Sequence, residues 1–462
     1  MKLDQKRLIA VDVLRKIMIE GAYAQLVLPK ELSKSKLDQR DRAFVTQLVY
    51  MSCRYWGKNL KILEHLSERP ISEVDDKVKL VLQAGITEFG HMRTEPRAVV
   101  FEYVNIAKKI TGQSSSSFVN AVLRGYQRSD NIDAEIENRI LEKPDTKSEI
   151  KIMEFKYAHP AWIIESYRKL IPDIIELKTL LEMNNRAAQI HAIPLLTDEK
   201  IEQEKTWSSF TDLNFSPHGK TVESNYLESS KVREQKVIIQ NEGSQIIELI
   251  WAATSQTFNS ETSLKWLDLC AGPGGKAAYL YHFLKLKRPN DTFIANEINE
   301  TRAKLVAKRM PSSQVLNLDG TEPKDFPSKY DRILIDAPCT GLGAIARRSE
   351  SRWRKTEKEL SSLLKLQAQL LESAYQLLEP GGIIGYVTCS PHMLETRAQI
   401  IEITHKHPDL EILPITNYLL GSGLKNIVEI ENNIDRYGLQ LWTHKHGTDS
   451  MFLSLLRKKG ED

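Results

Sequence analysis

A run of small residues between Asp268 and Lys276 has the composition of a loop that binds a nucleotide-like ligand. It follows a predicted strand and precedes a predicted helix, where glycines let the backbone pass close to a ligand and the helix N-terminus offers free N–H groups. The loop lacks the pattern of phosphate-gripping loops, because Ala277 follows Lys276, and it breaks the Gly-x-Gly-x-x-Gly dinucleotide pattern. The sequence therefore disfavours NTP hydrolysis. The alternative to a loop that binds a nucleotide-like ligand is a tight turn that binds none.

Two acidic residues follow the next two predicted strands. Glu297 lies about twenty residues after the glycines, where a carboxylate accepts hydrogen bonds from both ribose hydroxyls. Asp319 ends the third strand, where its carboxylate can meet the exocyclic amino group of adenine. Each acid alone is more often a solvated residue at a strand end. Because open α/β sheets bind ligands at the carboxyl ends of their strands, the series predicts an adenosine ligand without phosphates.

Two cysteines follow the fourth and fifth predicted strands of the same region. Cys339 lies in the sequence Asp336-Ala-Pro-Cys-Thr-Gly, and Cys389 lies in Thr-Cys-Ser-Pro. In a doubly wound sheet these strands are neighbours, so we expect both thiols at one edge, beside the glycine-rich loop. The alternative for any single cysteine is packing in a core, and this is our interpretation of Cys53 and of the side chain of Cys270.

The composition is that of a folded protein, and it excludes several classes. The 462 residues suffice for about three domains. With 41% hydrophobic and 27% charged residues the chain is not disordered as a whole, and a net charge of +3 does not by itself indicate nucleic acid. The cysteine spacing suggests no metal site, and no apolar run approaches the length of a membrane span. We expect a cytoplasmic protein without metal or membrane contact, with the His-Lys-His sequences 405–407 and 444–446 at the surface.

Hydrophobic patterns divide the chain into four segments. Apolar residues recur at helical spacing over 1–130, which predicts an all-helical domain. The acidic segment 131–148 fits a linker or an exposed helix better than a core, and 149–236 fits a small α+β domain. Over 237–462 short apolar runs alternate with helices, as in βαβ units, so we expect a Rossmann-like α/β domain with a parallel sheet.

The segments DLCAGPGGK, DAPCTG and VTCSP, in this order and spacing, resemble the RsmB and Sun family of S-adenosylmethionine-dependent RNA cytosine-5 methyltransferases. Upstream, AYAQLVLPKEL, RDRAFVTQLVYMSCR and SSFVNAVLRGY look like the NusB-type helical domain of bacterial RsmB proteins. The likeness covers nearly the whole chain. It implies S-adenosylmethionine as the cofactor, 16S rRNA or a small-subunit precursor as the RNA partner, and a monomer.

The resemblance also implies residue roles. Glu297 matches the acid that contacts the ribose, Asp319 the acid that contacts adenine, and Asp336 an acid near both cofactor and base. Cys389 matches the family's nucleophile, and Cys339 matches the cysteine that assists release. The cofactor loop comprises Cys270, Ala271, Gly272, Pro273, Gly274, Gly275 and Lys276. The departures from the family pattern lie at Gly272, Ala277, Asn241 and the sequence Met-Leu-Glu-Thr over 393–396, and none removes a group that the mechanism needs.

Methylation of cytosine at carbon 5 explains why two thiols are needed. Carbon 5 is too weak a nucleophile to attack a methyl sulfonium until a thiolate adds to carbon 6, and we assign this addition to Cys389. An unperturbed thiol is only about 3% ionised at pH 7, so a nearby cation is expected, and Lys276 is the nearest candidate in the sequence. Asp336, when protonated or sharing a proton, is expected to hydrogen-bond ring nitrogen 3 and to stabilise the negative charge that builds there. Cys339, or a water that it positions, is expected to assist removal of the carbon 5 proton and release of Cys389.

A basic segment after Asp336 is our candidate for RNA contact. Five cations surround Trp353, and they are Arg347, Arg348, Arg352, Arg354 and Lys355. Cations contact phosphates and an indole stacks on a base, although an exposed basic helix start with a buried tryptophan is the alternative. Two other functions stay open at this point. One is an RNA-binding assembly or antitermination factor without activity, and the other is a DNA cytosine methyltransferase with Cys339 as nucleophile.

Overall fold

The computed structural model describes residues 3–67, 70–142, 144–195, 205–257 and 262–460. The chain forms two compact units. One comprises Met1–Asn185 with Ile345–Thr356, and the other comprises Arg186–Ala344 with Glu357–Asp462. Among the described residues, no helix has the length and apolar character needed to span a bilayer.

The first unit is helical, as predicted for its N-terminal part. Acidic side chains begin several helices, and Asp4, Asp38 and Asp75 each accept hydrogen bonds from backbone N–H groups of the first turn. The apolar faces form one core, in which Leu14, Leu48 and other side chains are buried. The helices are Gln5–Met18, Ala24–Lys34, Gln39–Arg54, Trp56–Leu66, Asp76–His91, Pro96–Thr111, Gln113–Arg128, Ile132–Leu141, Ser148–Tyr157, Ala161–Arg168, Ile174–Met183 and Ser351–Arg354.

The structure divides the chain at different positions from those expected. The segment 131–148, predicted as a linker or an exposed helix, contains the helix Ile132–Leu141. Its acidic residues face outward, whereas Ile132 and Ile136 are one helical turn apart and both buried in the core. The following helices, up to Met183, belong to the same helical unit, so the boundary falls near residue 185.

The basic segment 345–356 folds into the helical unit, although the flanking residues belong to the other unit. Arg352 is fully buried there. Its guanidinium donates to the carbonyl oxygens of Ala158 at 2.9 Å and Asn184 at 3.0 Å, and to Oδ1 of Asn185 at 2.7 Å. These acceptors lie at or just beyond the ends of helices, where carbonyls lack partners within the helix.

Trp353 and Arg354 also make contacts within the helical unit. The indole Nε1 donates to the carbonyl of Arg54 at 3.3 Å, and a Cβ added to Gly57 would lie 2.1 Å from the Trp353 ring. Arg354 donates to the carbonyl of Ala22 at 3.0 Å. The interpretation of Arg352 as an RNA contact is therefore wrong, because this side chain is fully buried and donates to acceptors within the helical unit. The half-buried Trp353 packs against Gly57, which favours the alternative of a packed indole.

Replacing Arg352 with alanine is expected to lower the free energy of unfolding by about 3 kcal/mol, because several buried acceptors lose their donor at once. Urea unfolding followed by circular dichroism measures this change. Arg40→Ala, at an exposed position of the same unit, is the control, with an expected change within about 0.5 kcal/mol. Equal unfolding midpoints for the two variants would contradict the assignment of Arg352 as a buried structural donor.

The second unit begins with a small antiparallel sheet. Its strands are β1 (Ile190–Pro194), β2 (Thr211–Asp212), β3 (Lys220–Val222) and β4 (Val237–Ile239). Their order is β2-β3-β1-β4 among the described residues. Ala192, Trp207, Val222 and Tyr226 pack in a small core beside this sheet.

A larger mixed sheet fills most of the second unit and confirms the predicted Rossmann-like α/β fold. Its strands are β5 (Lys265–Asp268), β6 (Thr292–Asn296), β7 (Val315–Leu316), β8 (Tyr330–Asp336), β9 (Leu378–Thr388), β10 (Leu410–Ile412), β11 (Ile434–Asp435), β12 (Gly438–Gln440) and β13 (Phe452–Lys458). The order is β11-β12-β13-β9-β8-β5-β6-β7, and β10 pairs with β13. Strands β5 to β9 pair in parallel, and β10 to β13 add antiparallel strands.

Helices accompany both sheets of the second unit. They are Lys205–Ser208, Ser230–Arg233, Glu242–Ala253, Gly275–Lys287, Glu300–Val306, Glu357–Leu377, Arg397–Lys406, Thr416–Leu419, Ile427–Glu431 and Thr443–His446. The last of these corrects one expectation, because His446 is buried and its Nδ1 accepts the backbone N–H of Trp442 at 2.9 Å. The sequence 444–446 therefore does not lie entirely at the surface.

The order of the parallel strands brings the predicted motifs to one edge of the sheet. Strand β8 lies between β5 and β9, and Asp336 at the end of β8 is in register with Val387 near the end of β9. Because all three strands run in the same direction, the residues that follow their carboxyl ends meet there. The prediction that the strands preceding Cys339 and Cys389 are neighbours is confirmed.

Candidate active site

The glycine-rich loop connects β5 to the helix Gly275–Lys287. Gly272 and Gly274 have φ values of +58° and +87°, in the left-handed region that glycine adopts without steric cost. A Cβ on Gly274 would also lie 3.1 Å from the Cα of Val306. The loop therefore turns sharply at both glycines, and a Cβ added to Gly272 or Gly275 would meet open space.

Asp268 lies at the base of this loop and is fully buried. Its Oδ1 accepts the N–H of Cys270 at 3.3 Å, whereas its Oδ2 is a buried acceptor without a protein partner among the described residues. Burial, with repulsion from Asp336, raises the pKa of Asp268 to about 7. This carboxylate is therefore poised to accept a donor from a ligand bound at the loop.

The raised pKa of Asp268 makes the stability of the protein depend on pH. Because the folded-state pKa lies above the unfolded one, Asp268 costs no stability below about pH 4, the cost grows as the pH rises from about 4 to about 7, and it is constant at higher pH. Asp268→Asn removes this cost. We therefore expect the unfolding free energy of the variant, minus that of the wild type, to be larger at pH 8 than at pH 4 by roughly 4 kcal/mol. Urea titrations across this range, with exposed Asp325→Asn as the control, measure the change. A difference that is constant with pH would refute the expectation.

The two acids predicted to contact an adenosine lie where expected along the sheet edge. Glu297 follows β6, is almost fully buried, and accepts the N–H of Asn299 at 2.8 Å and a hydrogen bond from Arg302 Nη2 at 2.7 Å. Asp319 is exposed and follows β7 by a short loop, and its Oδ1 accepts the N–H of Thr321 at 2.9 Å. A rigid, buried carboxylate and an exposed one therefore flank the glycine-rich loop.

Lys276 and Asp336 form an ion pair beside the loop. Nζ of Lys276 lies 2.9 Å from Oδ2 of Asp336. Burial opposes the charged form of the lysine, but the Asp336 carboxylate outweighs it and raises the pKa of Lys276. The thiolate form of Cys389 acts in the same direction. Lys276 is therefore charged at neutral pH, and a thiolate at Cys389 would interact favourably with this charge.

The sulfur atoms of Cys339 and Cys389 lie 3.3 Å apart. Both side chains are half-buried at the edge of the sheet. The hydrogen bond with Cys389 and the burial of the thiol raise the pKa of Cys339 well above its usual value. Cys339 is thus a neutral thiol at pH 7, and either sulfur can be the donor in the contact between the two cysteines. By contrast Cys53 is fully buried in the helical core, which confirms its predicted packing role.

Several site residues were not predicted. Glu395 is fully buried and accepts hydrogen bonds from Thr340, which follows Cys339, and from Gln367. Glu248 lies within an apolar helix, where it accepts a hydrogen bond from Gln240 and where burial raises its pKa well above the usual range. Little in the sequence around Glu395 marks it as a site residue. Glu248 could have been found, because it is an isolated acid in an apolar run.

Together, the parallel sheet, the open glycine-rich loop and the paired thiols define an α/β methyltransferase. The family of 16S rRNA methyltransferase RsmB/F matches residues 255–457, and the NusB family matches residues 4–128. Putative methyltransferase MT1451 of Mycobacterium tuberculosis is 32% identical over 99% of this chain and 97% of that protein. The chain belongs to the RsmB/F methyltransferase family and carries an N-terminal NusB domain.

Other relatives agree with this assignment. Probable ribosomal RNA small subunit methyltransferase B of Bacillus subtilis is 26% identical over the full length of both chains. Ribosomal RNA small subunit methyltransferase B of Citrobacter koseri is 26% identical over 88% of this chain and 92% of that protein. Among solved structures, PH0851 superposes with a TM-score of 0.75 at 21% identity, covering 99% of this chain and 100% of that one. NSun6 from Pyrococcus horikoshii with SFG gives a TM-score of 0.50 at 16% identity, covering 65% and 99%. These two structures support the fold.

The predicted cofactor, S-adenosylmethionine, is confirmed at the level of the family. The residues present also fit it, because the unpartnered Oδ2 of Asp268 is a buried acceptor beside an open glycine-rich loop. A ligand that carries an amino group would satisfy this oxygen. Among the described residues, no group of side chains is arranged to hold a metal ion.

Proposed function

We propose that this protein methylates carbon 5 of a cytosine in small-subunit rRNA through a covalent adduct between Cys389 and carbon 6 of the base. The observation that carries the proposal is the 3.3 Å separation of the Cys339 and Cys389 sulfurs beside the Lys276–Asp336 pair. Two neighbouring thiols are needed when the first adds to the base and the second assists release of the first. A methyl transfer without a covalent intermediate would need neither.

The first step is addition of the Cys389 thiolate to carbon 6. Bound S-adenosylmethionine supplies an electrophilic methyl group for carbon 5. The Lys276 ammonium stabilises the thiolate before attack. Asp336, in the form that shares a proton with Lys276, donates a hydrogen bond to ring nitrogen 3, where negative charge develops as the carbon–sulfur bond forms. Because Lys276 and Asp336 are paired, the same ion pair contacts both the Cys389 nucleophile and the cytosine ring.

The second step restores the aromatic ring. A water takes the proton of carbon 5, the electrons of that C–H bond form the C5=C6 double bond, and the C6–S bond breaks with both electrons on the Cys389 sulfur. The neutral thiol of Cys339 then donates to the departing sulfur. Its raised pKa suits this role, because Cys339 keeps its proton at neutral pH. The same property disfavours the alternative in which Cys339 is the nucleophile.

A tritium-release assay with 16S rRNA labelled at carbon 5 of cytosine tests the proposal. Purified protein and S-adenosylmethionine are expected to release one tritium for each methyl group transferred, because the carbon 5 proton must leave. Bisulfite sequencing of the same RNA then locates the product. Methyl transfer without tritium release would place the methyl group elsewhere and refute the proposal. RNA binding without methyl transfer would instead favour an assembly factor.

A further inference from the structure

A fully buried carboxylate lies directly behind the two cysteines. Glu395 belongs to the short turn Met393–Glu395 that follows the Cys389 loop, and its side chain is excluded from solvent. Burial of a carboxylate is costly unless hydrogen bonds compensate for the lost water. The groups that donate to Glu395 therefore indicate what this carboxylate holds in place.

The donors to Glu395 come from the cysteine loops and their support. Oε1 accepts the backbone N–H of Thr340 at 2.7 Å, and Oε2 accepts the hydroxyl of the same residue. Gln367 donates to Oε1 at 3.1 Å and to the carbonyl of Pro338 at 2.9 Å. Thr340 and Pro338 are the two sequence neighbours of Cys339, so the backbone on both sides of this cysteine is fixed by one carboxylate and one amide.

The same network reaches the second cysteine. The hydroxyl of Thr340 lies 3.1 Å from that of Ser390, the residue after Cys389. The carbonyl of Glu395 itself accepts the hydroxyl of Tyr386, on the buried part of β9, at 2.8 Å. The backbone of Glu395 is therefore held to β9, the strand that ends just before Cys389, while its carboxylate holds the loop that contains Cys339.

We propose that Glu395 is a positioning residue that sets the separation of the two sulfurs and keeps the negative charge on Cys389 rather than on Cys339. Geometry supplies the first effect, because the carboxylate fixes Thr340 and, through it, Ser390. Charge supplies the second, because a buried anion beside Cys339 disfavours a thiolate there, as its contribution to the raised pKa of Cys339 indicates. This inference deepens the proposed function and rests on its division of roles between the cysteines.

The separation of the sulfurs is measured without RNA through the rate of disulfide formation. Diamide takes up the two electrons and two protons that two thiols lose, and its rate with Cys339 and Cys389 reports how often the sulfurs meet. In Glu395→Ala the rate is expected to fall by about tenfold or more, because the loops are no longer held together. Glu395→Gln keeps the size and several hydrogen bonds, so its rate is expected to stay near that of the wild type.

The effect of the Glu395 charge is measured with RNA, through the rate of turnover and its dependence on pH. Both Glu395→Gln and Glu395→Ala are expected to slow turnover by about 100-fold. Glu395→Gln is further expected to move the pH profile of turnover to lower pH, because Cys339 then loses its proton more readily. Glu395→Asp, which restores the charge, is expected to return the profile toward that of the wild type.

Glu242→Gln is the matched control. This carboxylate is also buried in the second unit and accepts backbone N–H groups, from Phe215 at 2.6 Å and Ser216 at 2.9 Å. If Glu395 variants lose only thermal stability, as the Glu242 variant does, and keep the wild-type disulfide rate and pH profile, the inference is wrong. If the wild type transfers no methyl group to cytosine but the disulfide rate responds to Glu395→Ala, the proposed function fails while the role of Glu395 in setting the geometry stands.

Discussion

Replacing Cys389 with serine is expected to abolish methyl transfer, with a loss on the order of 10⁴-fold or more, because the hydroxyl is far less ionised than a thiol at neutral pH. The folded structure should be unaffected, since the side chain is half-buried and serine is of similar size. Transfer of labelled methyl groups to 16S rRNA measures the loss. Cys53→Ala, which removes a buried thiol from the helical unit, controls for a general effect of losing a cysteine.

Cys339→Ser is expected to behave differently from Cys389→Ser. The Cys389 sulfur still adds to the base, but it departs slowly without its thiol partner 3.3 Å away. Protein joined to RNA should therefore accumulate and migrate as a slower band on a denaturing gel. If the two phenotypes were exchanged, Cys339 would be the nucleophile, and the DNA-type arrangement of roles would apply.

The second large effect is expected at Lys276. Lys276→Met keeps the length of the side chain but removes the only cation that pairs with Asp336 among the described ion pairs. Turnover is expected to fall by about 10³-fold, because both the thiolate and the Asp336 carboxylate lose their counter-charge. The residual activity should rise more steeply with pH than that of the wild type, because the thiolate then forms only at higher pH.

A pH–rate series for Lys276→Met measures both effects. Lys285→Met is the matched control, because this exposed lysine lies on the same helix, Gly275–Lys287, and is expected to leave turnover unchanged. Lys276→Arg, which restores a cation of different shape, should recover part of the rate. A pH profile for Lys276→Met that parallels the wild type would show that Lys276 does not stabilise the thiolate.

Local sequence is sufficient to locate the glycine-rich loop and the two cysteines. An apolar strand, a glycine-rich turn and a helix lie next to each other in the chain around Asp268, so the pattern contains the whole unit. The proximity of Cys339 and Cys389 also follows, because right-handed parallel connections leave few positions for consecutive strands. The Lys276–Asp336 pair was placed only approximately, since its formation depends on how the loop after β5 faces the end of β8.

Other parts of the site depend on contacts between distant residues and were not predicted. The sequence around Glu395 was interpreted only as a departure from the family pattern, yet its carboxylate holds Thr340, which lies on another loop. The charge of Arg352 suggested RNA, but its partners are carbonyls of the helical unit. In both cases the type of side chain is compatible with several environments, and the environment that the residue has depends on contacts made only in the folded chain.

The site assignments depend on one claim, that Cys389 forms the covalent bond to the base. Mass spectrometry of the Cys339→Ser protein trapped on RNA, after nuclease and protease digestion, tests this claim directly. A cytosine nucleotide attached to the peptide that contains Cys389 is the predicted result. A nucleotide on any other peptide, or methylated RNA that forms without any trapped protein, would contradict it.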